Sequence, residues 1–254
     1  MNTLGRRRAL ALGLLPLGLV PLTLAGCAAG EAAPPAQAAP DALGVAPPPP
    51  PAPDPARDRA LIGAAGAGDA DEVQRLLGAG AAVTAADERG VTALIAAAYR
   101  NHLPVVRLLL EAGADPSVQD ATRQSAYLIS TSEGYLELLR LTLAHGADVR
   151  SKDSYNGTGL IRAADRGHHE IILELLQTDL AQEIDHVNRL GWTALLEAII
   201  LGDGGPRHAE CVRLLLQGGA NPNLADGQRV TPLAHARRKG HGAMVALLQR
   251  AGAR

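Results

Sequence analysis

Phenylalanine is absent from this 254-residue chain, tryptophan occurs once and tyrosine four times. Large aromatics dominate most cores, so a core without them is thin and built from many small layers. That disfavours a broad globular sandwich and favours closely stacked helices. There is no excess of basic charge either: 24 Lys and Arg face 26 Asp and Glu, for a net charge of −2. This excludes the positive field that nucleic-acid binding requires. Only Cys27 and Cys211 are present, so a disulfide-stapled scaffold is excluded. No sequence of the H-E-x-x-H, G-x-S-x-G or Walker type occurs. What remains is rich in small and aliphatic residues, with 47% hydrophobic residues and 28 glycines.

The first 26 residues form an address. Arg6, Arg7 and Arg8 precede an apolar run from Ala9 to Ala25 that Pro16 and Pro21 interrupt. The run is too short and too broken for a membrane span, which needs about 20 apolar residues. A basic start, an apolar middle and a small-residue end read instead as a secretory signal. Leu24-Ala25-Gly26-Cys27 resembles the lipobox of bacterial lipoproteins. The resemblance implies cleavage before Cys27, thioether lipidation of that residue, and a membrane-anchored protein facing the periplasm. Ala28 stands where an aspartate favours retention at the inner membrane, so the resemblance favours the outer membrane. Both the general and the twin-arginine export routes stay open. Several acyl chains at ~0.8 kcal/mol per buried methylene make such an anchor effectively permanent.

Residues 27–56 read as a linker. Between Ala28 and Ala56 there are eleven Ala and ten Pro, including the run Pro47–Pro51. At roughly 3.1 Å per residue, such proline-rich sequence forms a semi-rigid stalk of up to ~90 Å.

Residues 57–254 repeat themselves. Leu108-Leu109-Leu110-Glu111-Ala112-Gly113-Ala114-Asp115-Pro116 returns as Leu214-Leu215-Leu216-Gln217-Gly218-Gly219-Ala220-Asn221-Pro222, with degenerate copies near Leu76 and Leu141. A second signature, Gly90-Val91-Thr92-Ala93-Leu94, returns at Gly191–Leu195 and Arg229–Leu233. Asp87, Asp120 and Asp153 are 33 residues apart. The pattern resembles the ankyrin repeat, with its period of about 33 and its T-P-L-H-x-A signature. Six repeats start near Arg57, Asp87, Asp120, Asp153, Asn188 and Asp226. The resemblance implies an all-α solenoid of about six helix-turn-helix repeats with β-hairpin loops.

Local chemistry agrees with that expectation. Thr92, Thr193 and Thr231 are placed to cap first helices, and Pro104 suits the first turn of a second helix. Gly113, Gly146 and Gly219 suit the left-handed stop after second helices. Single pairs cannot bury their apolar faces, so stability comes from neighbouring repeats. The third repeat, with Ser125-Ala126-Tyr127 and Ser130-Thr131, reads as the weakest link. The fifth carries about five extra residues, Asp203 to Arg207, between its helices. The fourth ends irregularly over 178–187.

Histidines at 102, 168, 208 and 241 share one repeat position just before the second helix, where the ankyrin resemblance implies a role in packing and hydrogen bonding. No metal site, cofactor or catalytic residue is expected. Cys211 matches the apolar positions of Val105 and Ile171 and reads as core. The ankyrin resemblance implies that a protein partner meets the hairpin tips and the outward side of the first helices. Carried onto this chain, those positions include Glu88, Arg89, Val91, Tyr99, Arg100, Thr122, Gln124, Glu133, Tyr155, Asp165, Arg166, Arg189, Leu190, Trp192, Gln228, Val230, Arg238 and Lys239. The expectation is a monomeric, lipid-anchored scaffold or inhibitor (an immunity protein being one form) that binds protein on its concave face. A hydrolase or metal enzyme and a purely structural envelope spacer are the alternatives.

Overall fold

The computed structural model describes residues 54–254. The signal segment, Cys27 and the linker up to position 53 lie outside the described residues. Within them the helices fall into six pairs: α1 (Pro55–Ala67) with α2 (Ala70–Gly78), α3 (Ala93–Tyr99) with α4 (Leu103–Glu111), and α5 (Ala126–Glu133) with α6 (Leu136–Ala144). They continue as α7 (Gly159–Arg166) with α8 (His169–Leu175), α9 (Ala194–Ile200) with α10 (Pro206–Gln217), and α11 (Pro232–Arg238) with α12 (Gly242–Arg250). No helix among these is long and apolar enough to cross a membrane.

The helix ends follow from the sequence. Thr92, Thr193 and Thr231 each accept the amide three residues on at 3.3 Å, and Ser125 does so at 3.2 Å. These bonds meet donors that a helix start leaves orphaned. Gly113, Gly146 and Gly219 take φ of 90°, 79° and 98° after the second helices, as a left-handed stop demands. The folded part starts slightly before position 57. Asp54 caps α1 by accepting from Ala56 and Arg57, with Pro55 in the first turn, where its missing N–H costs nothing.

Each first helix packs on the next first helix, and each second helix on the next second helix, along the whole series. Ala97, Ala98, Ala163 and Ala164 are fully buried between first helices, while Leu109, Leu139, Ile172, Leu215 and Leu248 fill the layer under the second helices. Small residues on one side and leucines on the other are how a phenylalanine-free chain builds a continuous core.

Three details depart from the sequence expectation. The loops turn back as hairpins, but the pairing reduces to one isolated bridge, Ala86 with Thr92, among the described residues; the tips are held mainly by side chains. The extra residues of the fifth repeat are not all loop. Pro206 and Arg207 open α10, which reaches 12 residues, because proline suits a first helical turn. His208 therefore sits inside α10, whereas His102, His168 and His241 precede α4, α8 and α12.

The polar third repeat is fully satisfied. Ser130, Thr131 and Ser132 each donate to the carbonyl three residues back, at 2.6, 2.8 and 3.2 Å. Tyr127 takes the place of a leucine, is fully buried, and donates to Val149 O at 3.2 Å. Room for its ring comes from the next repeat. A Cβ on Gly159 would stand 2.5 Å from the Tyr127 hydroxyl. The irregular end of the fourth repeat contains a 3-10 helix, Asp179–Glu183, that buries Leu180.

Candidate partner-binding face

Five hairpin tips line one edge of the stack, and each is closed the same way. Asp87 Oδ1 accepts the amides of Arg89 and Val91, both at 2.8 Å. Asp120, Asp153, Asn188 and Asp226 accept the equivalent pairs, Thr122 and Gln124, Tyr155 and Gly157, Leu190 and Trp192, and Gln228 and Val230. A short side chain with one acceptor oxygen folds the tip around itself. Neighbouring tips are joined as well: Ala121 N donates to Arg89 O at 2.8 Å and Arg189 N to Tyr155 O at 2.9 Å.

In the four tips whose closing residue is buried, its second polar atom meets a further side chain, whereas Asp87 stays exposed. The position beneath each tip is four residues after the capping Thr or Ser: Ala96, Ile129, Arg162, Glu197 and His235. Asp153 Oδ2 lies 3.3 Å from Arg162 Nη1, and Asp226 Oδ2 lies 2.7 Å from His235 Nε2. In the fifth repeat the capping residue is Asn188. Its oxygen closes the tip, so its NH2 faces inward and needs an acceptor, which Glu197 Oε1 supplies at 2.6 Å. The switch from Asp above a base to Asn above an acid is one concerted change. Over Ile129, Asp120 instead receives the Tyr99 hydroxyl at 3.4 Å.

Burial sets the electrostatics of this row. Burial alone would raise the Asp226 carboxyl, but the amides of Val230 and Gln228 and the His235 ring hold it below its ordinary value. Asp120 is likewise held low, the Thr122 hydroxyl and amide and the Gln124 amide outweighing burial. Glu197 behaves oppositely: it is 4% exposed, and burial, aided by repulsion from Asp165 and Asp153, pushes it up to about 7 against the opposing Asn188 bond and Arg162 charge. Desolvation wins at Glu197, where a single side-chain hydrogen bond opposes it, and loses at Asp120 and Asp226, where several bonds do.

Between the fourth and fifth repeats the face opens into a cleft of about 170 Å³. Glu197 and Asp153 line it as buried side chains, Asp165 and Arg162 as half-buried ones, and the exposed Tyr155, Leu190 and Leu201 form its rim. The three rim side chains are all exposed, Tyr155 the most at 58%.

Of the residues expected to meet a partner, Tyr155 and Asp165 enter this cleft, and Arg189 braces it by donating to Ser154 O at 2.7 Å. Glu88 and Arg89 stand exposed on the second tip, and Tyr99 (45% exposed) and Arg100 at the end of α3. Glu133 and Arg166 are exposed at the ends of α5 and α7, Gln228 on the last tip, and Arg238 beside His235 at 2.7 Å. Val91 and Gln124 are half-buried within their tips. Trp192, expected as an outward anchor, is also half-buried; Leu190, two residues earlier, is the apolar side chain exposed there. Arg162, Asn188, Glu197 and Leu201 escaped the sequence reading. A charged residue at a position held elsewhere by Ala96 and Ile129 was the available signal.

The histidines do packing work. His168 Nε2 bonds Ser132 O and His208 Nε2 bonds Asp165 O, both at 3.1 Å, so each ring ties its repeat to the one before. Cβ atoms on Gly68, Gly134 and Gly204 would run into the rings of His102, His168 and His241. Among the described residues no three His, Cys, Asp or Glu side chains gather as a metal site would need. Burial pushes the Cys211 thiol up to about 12, which leaves it a core residue and not a nucleophile.

Comparison with known proteins settles the lineage. The family model for ankyrin repeats matches three times, over residues 49–120, 126–226 and 183–254. The chain belongs to the ankyrin-repeat family. An ankyrin repeat domain from Acinetobacter baumannii AYE, solved by crystallography, is 46% identical with a TM-score of 0.73, covering 76% of this chain and 98% of that one. A second solved ankyrin repeat protein is 31% identical with a TM-score of 0.72 and the same coverages. The putative ankyrin repeat protein YahD of Escherichia coli K12 is 45% identical over 92 residues, 36% of this chain and 45% of YahD. A further match, 35% over 79 residues, is to the ankyrin repeat and KH domain-containing protein mask-1 of Caenorhabditis elegans, covering 31% of this chain and 3% of that protein. The matched segment thus spans less than half of either curated relative. Ankyrin repeats generally mediate protein–protein interaction and typically do no catalysis.

Proposed function

We propose that this ankyrin-repeat protein is exported, lipid-anchored through Cys27, and holds one protein partner on the face formed by its hairpin tips and first helices. The observation that carries the binding reading is the gathering of exposed Tyr155, Leu190 and Leu201 around one cleft on that face. Large apolar side chains left at the surface beside partly desolvated polar groups are what interface centres are made of. Anchoring rests on Leu24-Ala25-Gly26-Cys27 at the end of an apolar leader, with the proline-rich linker holding the stack away from the membrane. A scaffold and an inhibitor of the immunity type both use such a face.

Affinity capture from detergent-solubilised envelopes tests the binding reading. Tyr155→Ala is expected to weaken recovery of the captured protein about thirtyfold, as loss of a 2 kcal/mol anchor does, with an unchanged melting temperature. Glu111→Ala, on the exposed side of α4, is expected to leave recovery intact; equal recovery with all three proteins would exclude the face. Labelling with a fatty-acid analogue tests the anchor: Cys27→Ser is expected to abolish incorporation, and equal labelling would remove the lipoprotein reading.

A further inference from the structure

The cleft between the fourth and fifth repeats is polar below and apolar above. Two buried side-chain atoms in it have no hydrogen-bond partner, Glu197 Oε2 and Arg162 Nε, and an unmet buried acceptor is unfavourable in the isolated molecule. Arg162 has its charge matched by Asp153 at 3.3 Å. Asp165 is approached only by Arg166, at 3.6 Å, whose side chain is 57% exposed. The lining therefore holds three acids against one base. Above it, Tyr155, Leu190 and Leu201 are three of the seven large hydrophobic side chains left exposed among the described residues. An apolar rim over an acidic floor complements a long aliphatic stem that ends in a cation. The space, about 170 Å³, is below the roughly 300 Å³ at which sites for whole small molecules begin, and suits one side chain.

We propose that this cleft is an anchor pocket for a single lysine or arginine side chain of the protein partner. The stem lies between Tyr155, Leu190 and Leu201, and Glu197 and Asp165 receive the cationic end. The proposal rests on the partner-binding reading of this face and adds the chemistry that the partner must present.

The test is amide NMR of the full chain in detergent, titrated at pH 8 with N-acetyl-lysine methylamide, its norleucine counterpart and butylammonium. The lysine derivative is expected to shift the signals of Tyr155, Asp165, Glu197 and Leu201 saturably, and to bind at least tenfold more tightly than the norleucine derivative. Glu197→Gln is expected to weaken it severalfold. Asp165→Asn, at a half-exposed position, gives the same readout should the buried substitution disturb folding. Equal binding of norleucine, or no saturable shift, overturns the pocket. Tighter binding of butylammonium than of the lysine derivative assigns the cleft to a free amine and overturns the side-chain source. Loss of lysine binding by Glu197→Gln with partner capture intact overturns the pocket and leaves the concave-face reading standing. Lysine binding with capture indifferent to Tyr155→Ala overturns that reading, and with it the protein origin of the cation.

Discussion

The second and fifth repeats share a backbone plan and differ in what they bury. Each has a glycine in the left-handed tip position, Gly90 at φ 75° and Gly191 at 81°, and each caps its first helix with a threonine. Under the tip of the second repeat lies Ala96, and the Asp87 above it stays exposed. Under the tip of the fifth lies Glu197, sealed beneath Asn188. Alanine at that position demands nothing of its surroundings, so the second repeat is only a layer in the stack. A buried carboxyl demands a donor above it and leaves one oxygen unmet, which no need of the stack explains. Repeats four to six, with Arg162, Glu197 and His235, carry the polar row; repeats two and three, with Ala96 and Ile129, do not.

The largest expected effect breaks that contrast at the buried carboxyl of the fifth repeat. Glu197 ionises near 7 in the folded chain, against an ordinary value of 4.5. Between those values the native state keeps a proton that the unfolded chain has released, so stability falls as pH rises through the window. At 1.36 kcal/mol per unit, the loss is on the order of 3 kcal/mol. Glu197→Gln cannot titrate. Urea unfolding at pH 5 and pH 8 is expected to show the variant gaining roughly that much on the parent between the two; an identical pH dependence would mean that Glu197 is not held protonated.

Next in size is the seam between the two halves. Gly159→Ala places a methyl 2.5 Å from the Tyr127 hydroxyl and 3.1 Å from Leu175 and Thr131, and overpacking of this kind costs about 1–3 kcal/mol. In a Tyr127→Leu background, which restores the leucine found at Leu94 and Leu195, the loss is expected to fall below about 1 kcal/mol. Thermal unfolding of the four proteins reads the coupling, and strict additivity would deny that the two positions share one space.

The smallest effect separates the tips themselves. Arg229 occupies at φ 64° the position that Gly90 holds in the second repeat. Arg229→Gly is expected to stabilise by about 0.5–1 kcal/mol, since the left-handed region penalises a side chain. Gly90→Ala is expected to destabilise by a similar amount or somewhat more, its Cβ also standing 3.3 Å from the backbone of Asp120 and Ala121. Denaturant midpoints measure both, and equal signs would show that the tip conformation is not what distinguishes these residues.

Much of the architecture was legible because its rules are local and recur. A capping hydroxyl three residues before an amide, a glycine after a leucine run and an aspartate every 33 residues each mark a place in the chain whatever lies opposite. The site was less legible. Tyr155 and Asp165 could be placed on the face by register, but Trp192 looked equally suited and is half-buried. Glu197 and Arg162 stand at a position held elsewhere by Ala96 and Ile129, and nothing in the linear sequence names the partners that give them a role. Tyr127 resembled a flaw in the third repeat because the compensating glycine lies in the fourth, 32 residues on.

The amino-acid sequence alone determined the repeat count, the helix pairs, their caps and the small-residue core. Each follows from interactions within one repeat or from the identity of neighbouring repeats. Only the tertiary structure decided which side chains share a cleft, which carboxyl loses its water and which tyrosine fills the space beside Gly159. Those outcomes depend on distances between residues of different repeats. Desolvation and close packing act across such distances, and a linear order of residues does not record them.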